Sequence, residues 1–125
     1  MTTLRATFSK AAVIVLFGLF VAGCSKSDNK TVGPGGSADV TINIAGELGA
    51  SSFSPSPDTI SVGQTVAWHN ADSMTHTATS NAGGAFNTGN IAGGTTSHPI
   101  AMNTAGTFPY HCSIHASMSG VLVVR

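Results

Sequence analysis

The sequence predicts an all-β fold, an antiparallel β-sandwich over residues 38–125, and three observations predict it. Apolar and polar residues alternate in short runs, the period of a strand with one buried face. Turn signals built on glycine separate those runs at regular intervals. No window carries the apolar stripe of an amphipathic helix. Short strands with regular turns over roughly 90 residues are the pattern of a two-sheet sandwich.

Each element can be justified in order. Val40, Ile42 and Ile44 alternate with Thr41 and Asn43, so the three apolar side chains share one face. Ile60 and Val62 repeat the pattern. Gly63-Gln64 then turns the chain into Thr65-Val66-Ala67-Trp68, where Val66 and Trp68 share a face. Further β-type segments are Thr75–Ser80, Thr95–Met102, Gly106–His111 and Val121–Val124, punctuated by Gly83-Gly84, Gly93-Gly94 and Gly106. Pro99 cannot donate to a ladder, which puts its strand at an edge or on a bulge. Trp68, Phe86, Phe108 and Tyr110 are expected in the core, and Phe53 is open between core and surface.

The N-terminus has a different composition. Arg5 and Lys10 precede an apolar run from Ala11 to Ala22, shorter than the ~20 residues that span a bilayer. A positive start, an apolar middle and small residues before a break read as a secretory signal peptide over residues 1–23. A lipoprotein signal is the favoured form of it, and the alternatives are an ordinary cleaved signal or an uncleaved anchor, with Cys24 incidental. The ending Phe20-Val21-Ala22-Gly23-Cys24 resembles the lipobox of bacterial lipoproteins. That resemblance implies lipidation of Cys24 as the first residue of the mature chain and a membrane anchor of more than one acyl chain. Residues 24–37 follow as a polar, Gly- and Ser-rich leash.

Charge narrows the function classes. Beyond residue 23 the chain has Lys26, Lys30 and Arg125 against Asp28, Asp39, Glu47, Asp58 and Asp72. This mildly acidic balance offers no basic patch for nucleic acid and no run of like charge for docking. Of the two cysteines, Cys24 closes the targeting segment, and Cys112 lies among other metal donors. A Cys24–Cys112 disulfide is the alternative.

The stretch Tyr110-His111-Cys112-Ser113-Ile114-His115-Ala116-Ser117-Met118 reads Cys-x-x-His-x-x-Met. A thiolate, an imidazole and a thioether on one short loop, with a histidine upstream, is the ligand set of a mononuclear blue-copper site. Soft sulfur suits Cu(I), imidazole suits both oxidation states, and a weak axial sulfur keeps the site from becoming tetragonal. His76 is the best fourth donor, since it follows the polar turn Asn70-Ala71-Asp72-Ser73 at the start of a strand. Met118 could instead be a core methionine, but its spacing from His115 favours a ligand. His111 is expected to point away from Cys112, and His69 lies opposite Val66 and Trp68. His98 has no donor nearby in sequence. For Met74 and Met102 the plain reading is packing.

These residues resemble the cupredoxins, most closely the plastocyanin and amicyanin group. Val62-Gly63-Gln64-Thr65-Val66-Ala67-Trp68, then Asn70 and His76, is similar to the family's first-ligand region. Ala105-Gly106-Thr107-Phe108-Pro109-Tyr110-His111-Cys112, then His115, Met118 and Gly120, is similar to its second. The resemblance implies a Greek-key cupredoxin-like sandwich and one copper held by His76, Cys112, His115 and Met118. His115 would be the electron port, its ring edge in an apolar patch beside Ile114, Ala116 and Met74. Two departures bear on tuning and loop rigidity. Thr77 stands where relatives often carry an Asn that ties the ligand loops, and its hydroxyl is shorter. Ile114 stands where a proline often precedes the second histidine.

The function these readings imply is single-electron transfer between redox partners in the bacterial cell envelope, by a lipid-anchored monomer. Its partners would be a cytochrome, a dehydrogenase or a reductase in brief, weak contact. The chain is not expected to be an enzyme. Ser113 replaces the second histidine of the multicopper-oxidase His-Cys-His pattern, and a binuclear copper centre needs two bridging cysteines. A copper nitrite reductase needs a second domain. Zinc could occupy His₂Cys, but a methionine donor argues for copper. The non-enzymatic alternatives are a copper-delivery lipoprotein, or a metal-free β-sandwich interaction module.

Overall fold

The computed structural model describes residues 36–125. The expected signal peptide over residues 1–23, Cys24 and nearly all of the linker lie outside the described residues.

Among the described residues eight strands follow in chain order: β1 (Val40–Ile44), β2 (Phe53–Ser54), β3 (Asp58–Ile60), β4 (Thr65–Asn70), β5 (Thr79–Ser80), β6 (Ile100–Ala101), β7 (Gly106–His111) and β8 (Ser119–Val124). They form two four-stranded sheets, ordered β2-β1-β4-β6 and β3-β8-β7-β5. The all-β sandwich is therefore as expected. Its pairing is mixed, because β1 runs parallel to β4 and β3 parallel to β8, while the other pairs are antiparallel. A single turn of 3-10 helix, Gly49–Ser51, is the one helical element among the described residues.

Strand β1 shows the alternation that its sequence dictates, with Ile42 and Ile44 fully buried and Thr41 and Asn43 outward. Strand β4 is covered on both faces. Inward, Val66 and Trp68 enter the core. Outward, Thr65 is covered by Asp39, whose carboxylate accepts the Thr65 N–H at 2.9 Å and its hydroxyl at 2.7 Å. Val62 departs from expectation. Strand β3 ends at Ile60, and Val62 is exposed on the turn that Gly63 closes with a φ of 88°.

The core between the sheets is aromatic at its centre. Trp68 stacks on Phe86 with centroids 5.2 Å apart, and Tyr110 meets Phe53 edge-on at 4.7 Å. Phe53 is thus a core residue, whereas Phe108 is only partly buried against the cluster. Full burial of each such side chain contributes ~1.5–3 kcal/mol. Cys112 and Met118 belong to this same cluster, so the metal donors grow directly out of the rigid core.

Two predicted strands are shorter than their β-type sequence. Over Thr75–Ser80 only Thr79 and Ser80 are in a strand, with an isolated bridge at His76. The Thr77 N–H goes to Cys112 Sγ and the Ala78 N–H to Thr88 Oγ1, so the ladder loses one donor to the site and another to a side-chain hydroxyl. Over Thr95–Met102 only Ile100–Ala101 remains. There the Trp68 N–H donates to the Ser97 hydroxyl instead of a backbone carbonyl, just before Pro99.

Candidate metal centre

One end of the sandwich carries the site, where β7 gives way to the Cys112–Met118 loop and the 70–78 segment crosses above it. Strand β7 ends at His111, and the next residue is Cys112. The Cys112 N–H donates to the Met118 carbonyl at 3.2 Å, and the Met118 N–H to the His115 carbonyl at 3.0 Å. These two bonds close the loop on itself and turn its donors inward. The opposite segment is set by Asn70, which is fully buried. Its Nδ2 donates to the carbonyls of Met74 at 2.6 Å and Ile91 at 2.9 Å, and its Oδ1 accepts the Asp72 N–H at 3.0 Å. His76 then pairs with Ile91 through both backbone groups, at 3.1 and 2.8 Å.

The three strong donors converge. His115 Nδ1 lies 3.0 Å from His76 Nδ1. Cys112 Sγ lies 3.9 Å from His76 Nδ1 and 3.8 Å from His115 Nδ1. That triangle has a common centre about 2.1 Å from each atom, within the ~2.0–2.3 Å of transition-metal bonds to imidazole nitrogen and thiolate. Among the described residues these three form the one group of histidine, cysteine and acidic side chains close enough to share an ion. Met118 is fully buried in the core beneath them. His76, Cys112, His115 and Met118 are thus positioned to form a copper site, and a soft trigonal S/N₂ set with a thioether suits copper.

In the metal-free site, electrostatics favour the ligating thiolate of Cys112 and the protonated ring of His76, so metal binding at His76 displaces a proton. Burial pushes the Cys112 thiol up, but the N–H groups of Thr77 and His115, the His76 ring and the Ile114 N–H outweigh it and bring it to about 6. Burial disfavours protonated His76, yet hydrogen bonds to Asp72 and Cys112 hold it above the usual histidine range. The hydrogen bond from His76 and the Ser73 N–H in turn hold the Asp72 carboxyl below its ordinary range. Burial pushes Tyr110 in the core up to about 12.

The remaining sequence expectations sort clearly. His111 turns away from the centre and bonds the Asn81 side chain. His69 bonds the Thr96 hydroxyl at 2.9 Å, and His98 is exposed. Met102 packs in the core as expected, but Met74 does not, being 48% exposed. Its backbone carbonyl is held by Asn70, which leaves the side chain outside. Thr77 also corrects an expectation. Its hydroxyl reaches across to accept the Ser113 N–H at 2.8 Å, so the ligand loops are tied despite its short side chain. Two residues were missed. Asp72 Oδ2 lies 2.8 Å from His76 Nε2, a contact that the i,i+4 spacing could have suggested. Glu47 Oε1 lies 3.8 Å from His115 Nε2, which no local pattern signals.

No protein-family model matches the chain. A curated relative, plastocyanin from Scenedesmus fuscus, is 31% identical over 98 residues, covering 70% of this chain and all of that protein. Among solved structures, a purple cupredoxin from Nitrosopumilus maritimus superposes with a TM-score of 0.61 at 27% identity, covering 70% of this chain and all of that one. An oxidised amicyanin mutant gives 0.58 at 26% identity, covering 69% of this chain and 81% of that one. The Cu-containing nitrite reductase of Thermus scotoductus SA-01 gives 0.59 at 30% identity, but this chain covers only 22% of it. With a plastocyanin relative matched along its whole length and the histidine–cysteine–histidine triangle over a buried methionine, the chain belongs to the cupredoxin family.

Proposed function

We infer that this protein is a type 1 copper protein carrying single electrons between redox partners, tethered through a lipidated Cys24 to a membrane of the bacterial cell envelope. One observation supports electron transfer above all. Of the four ligand residues, His76, Cys112 and Met118 are 0% exposed, while the His115 side chain is 12% exposed. A single ligand edge therefore reaches the surface, and it does so beside Ile114, itself 50% exposed. Copper bound by these residues supplies one-electron Cu(I)/Cu(II) chemistry.

The chain's own residues do the rest. The closed Cys112–Met118 loop and the Asn70 frame hold the donors in place, which limits rearrangement when charge changes. The N–H groups directed at Cys112 Sγ withdraw charge from the thiolate, and burial among apolar side chains opposes the extra positive charge of the oxidised site. Both favour the reduced state. His115 is the electron port, and Ile114 suits transient docking of a cytochrome, dehydrogenase or reductase.

The test is visible absorption and EPR of the copper-loaded protein beside a Cys112→Ala control. An intense thiolate-to-copper band with narrow copper hyperfine splitting, absent from the control, is expected. A folded, copper-exposed protein without that band would sink the reading. Loss of the metal on reduction would favour copper delivery instead. For the anchor, mass spectrometry of the mature N-terminal peptide is expected to find acyl chains on Cys24. An unmodified Cys24 would remove that part alone.

A further inference from the structure

The geometry points to Asp72 as a positioning residue for the metal centre: its carboxylate fixes the His76 ring in one tautomer and holds a negative charge against that ligand, biasing the centre toward Cu(II). This rests on the copper reading above and deepens it. His76 presents Nδ1 to Cys112 Sγ and His115 Nδ1. A ligating nitrogen must offer its lone pair, so the proton sits on Nε2, which donates to Asp72 Oδ2 at 2.8 Å.

The carboxylate is held for that contact by its surroundings. Asp72 Oδ1 accepts the Ser73 N–H at 2.7 Å, which leaves Oδ2 to the ring. The Asp72 N–H is anchored on the buried Asn70 side chain. Two glycines leave space for the turn. A Cβ on Gly46, at φ 102°, would lie 3.3 Å from Asp72 Oδ2, and one on Gly93 would lie 2.6 Å from the Ser73 carbonyl oxygen. A residue needed only to shape the turn would use Oδ1 alone. Here the second oxygen is aimed at a ring with no exposed surface.

The charge has a direction. With one thiolate the reduced site is neutral and the oxidised site carries one positive charge. Asp72 adds a fixed anion one imidazole away, which attracts the oxidised site more than the reduced one. Its side chain is 26% exposed, so solvent screens part of this effect without removing it. Asp72 thus acts against the pull of the apolar core toward Cu(I).

The experiment is voltammetry of the full chain in detergent, wild type against Asp72→Asn, with nitrogen–proton correlation NMR of the wild-type histidine rings in the Cu(I) form. Asn keeps the shape but removes the charge and offers one acceptor to two donors. The Cu(I)-over-Cu(II) preference should rise about tenfold, a potential about 59 mV higher for one electron. The wild-type His76 should show a slowly exchanging Nε2–H. A normal thiolate band with an unchanged or lower potential in Asp72→Asn overturns the role of Asp72 alone. So does a wild-type His76 without a protected Nε2–H, which decides the matter even where the variant does not fold. A wild type without the thiolate band overturns the copper reading itself.

Discussion

Thr77 contacts the Cys112 region three times: its backbone N–H donates to Cys112 Sγ at 3.3 Å, its hydroxyl donates to the same sulfur at 3.9 Å, and that hydroxyl accepts the Ser113 N–H at 2.8 Å. The first two bear on the sulfur and the third ties the two ligand segments. The backbone contact can be separated from the two hydroxyl contacts, because a side-chain change leaves the shorter donor to sulfur in place. Thr77→Val should therefore keep the thiolate-to-copper band. It should destabilise the metal-free protein by about 1 kcal/mol, the typical net worth of one hydrogen bond. Urea unfolding followed by Trp68 fluorescence measures this. An unchanged midpoint would mean that the tie contributes nothing.

What the sequence made legible follows from what periodicity encodes. Alternation in Val40-Thr41-Ile42-Asn43-Ile44 reports which face is buried, and those faces were read correctly. It does not report which strand lies alongside, so the parallel pairing of β1 with β4 and β3 with β8 was hidden. The ligand cluster was legible because Cys112, His115 and Met118 are local in sequence. The segment around His76 was only half legible. Its residues are β-formers, yet the N–H groups of Thr77 and Ala78 leave the ladder for a sulfur and a hydroxyl. Glu47 reaches His115 only through the fold, which no local signal could announce.

Gly120 is a packing requirement. It pairs across the ladder with Tyr110, and a Cβ there would fall 2.5 Å from the Tyr110 Cζ and 2.6 Å from its hydroxyl. Tyr110 is fully buried and edge-on to Phe53 and Trp68, so its ring has nowhere to move without repacking the core. Gly120→Ala should cost about 1–3 kcal/mol, the range for overpacking a tight interior. Thermal unfolding of the metal-free protein tests this. A loss below about 0.5 kcal/mol would show that the ring yields freely.

The thiol of Cys112 sets a pH dependence of known sign. In the fold it titrates at about 6, below the about 8.5 of an unperturbed cysteine. A depressed value means that the contribution to stability is complete above about 8.5 and is lost as pH falls through about 6. Held above its usual range, His76 runs the other way: its contribution is present below about 6.5 and lost as pH rises. The metal-free wild type should therefore be compared with Cys112→Ser. Their stability difference should grow with pH across that window, by on the order of 2–3 kcal/mol. Ultraviolet thiolate absorbance should show a midpoint of about 6. A midpoint near 8.5 would contradict the hydrogen bonding described for Sγ.

Ile114 and His115 make the last case, because exposure and the proposed electron port meet there. Ile114 is 50% exposed, so exchanging it should change stability by no more than about 0.5 kcal/mol. Ile114→Glu would nevertheless place a second carboxylate beside the proposed electron port, where Glu47 already approaches His115. When two copies exchange an electron through this surface, the added like charges repel across a short distance. Self-exchange between Cu(I) and Cu(II) forms should slow about tenfold at low salt, by the same electrostatics that speed oppositely charged encounters. The rate should recover as salt shortens the screening length toward ~3 Å at 1 M. NMR line broadening in mixed-valence samples measures it. A rate insensitive to both the carboxylate and salt would move the electron port away from His115.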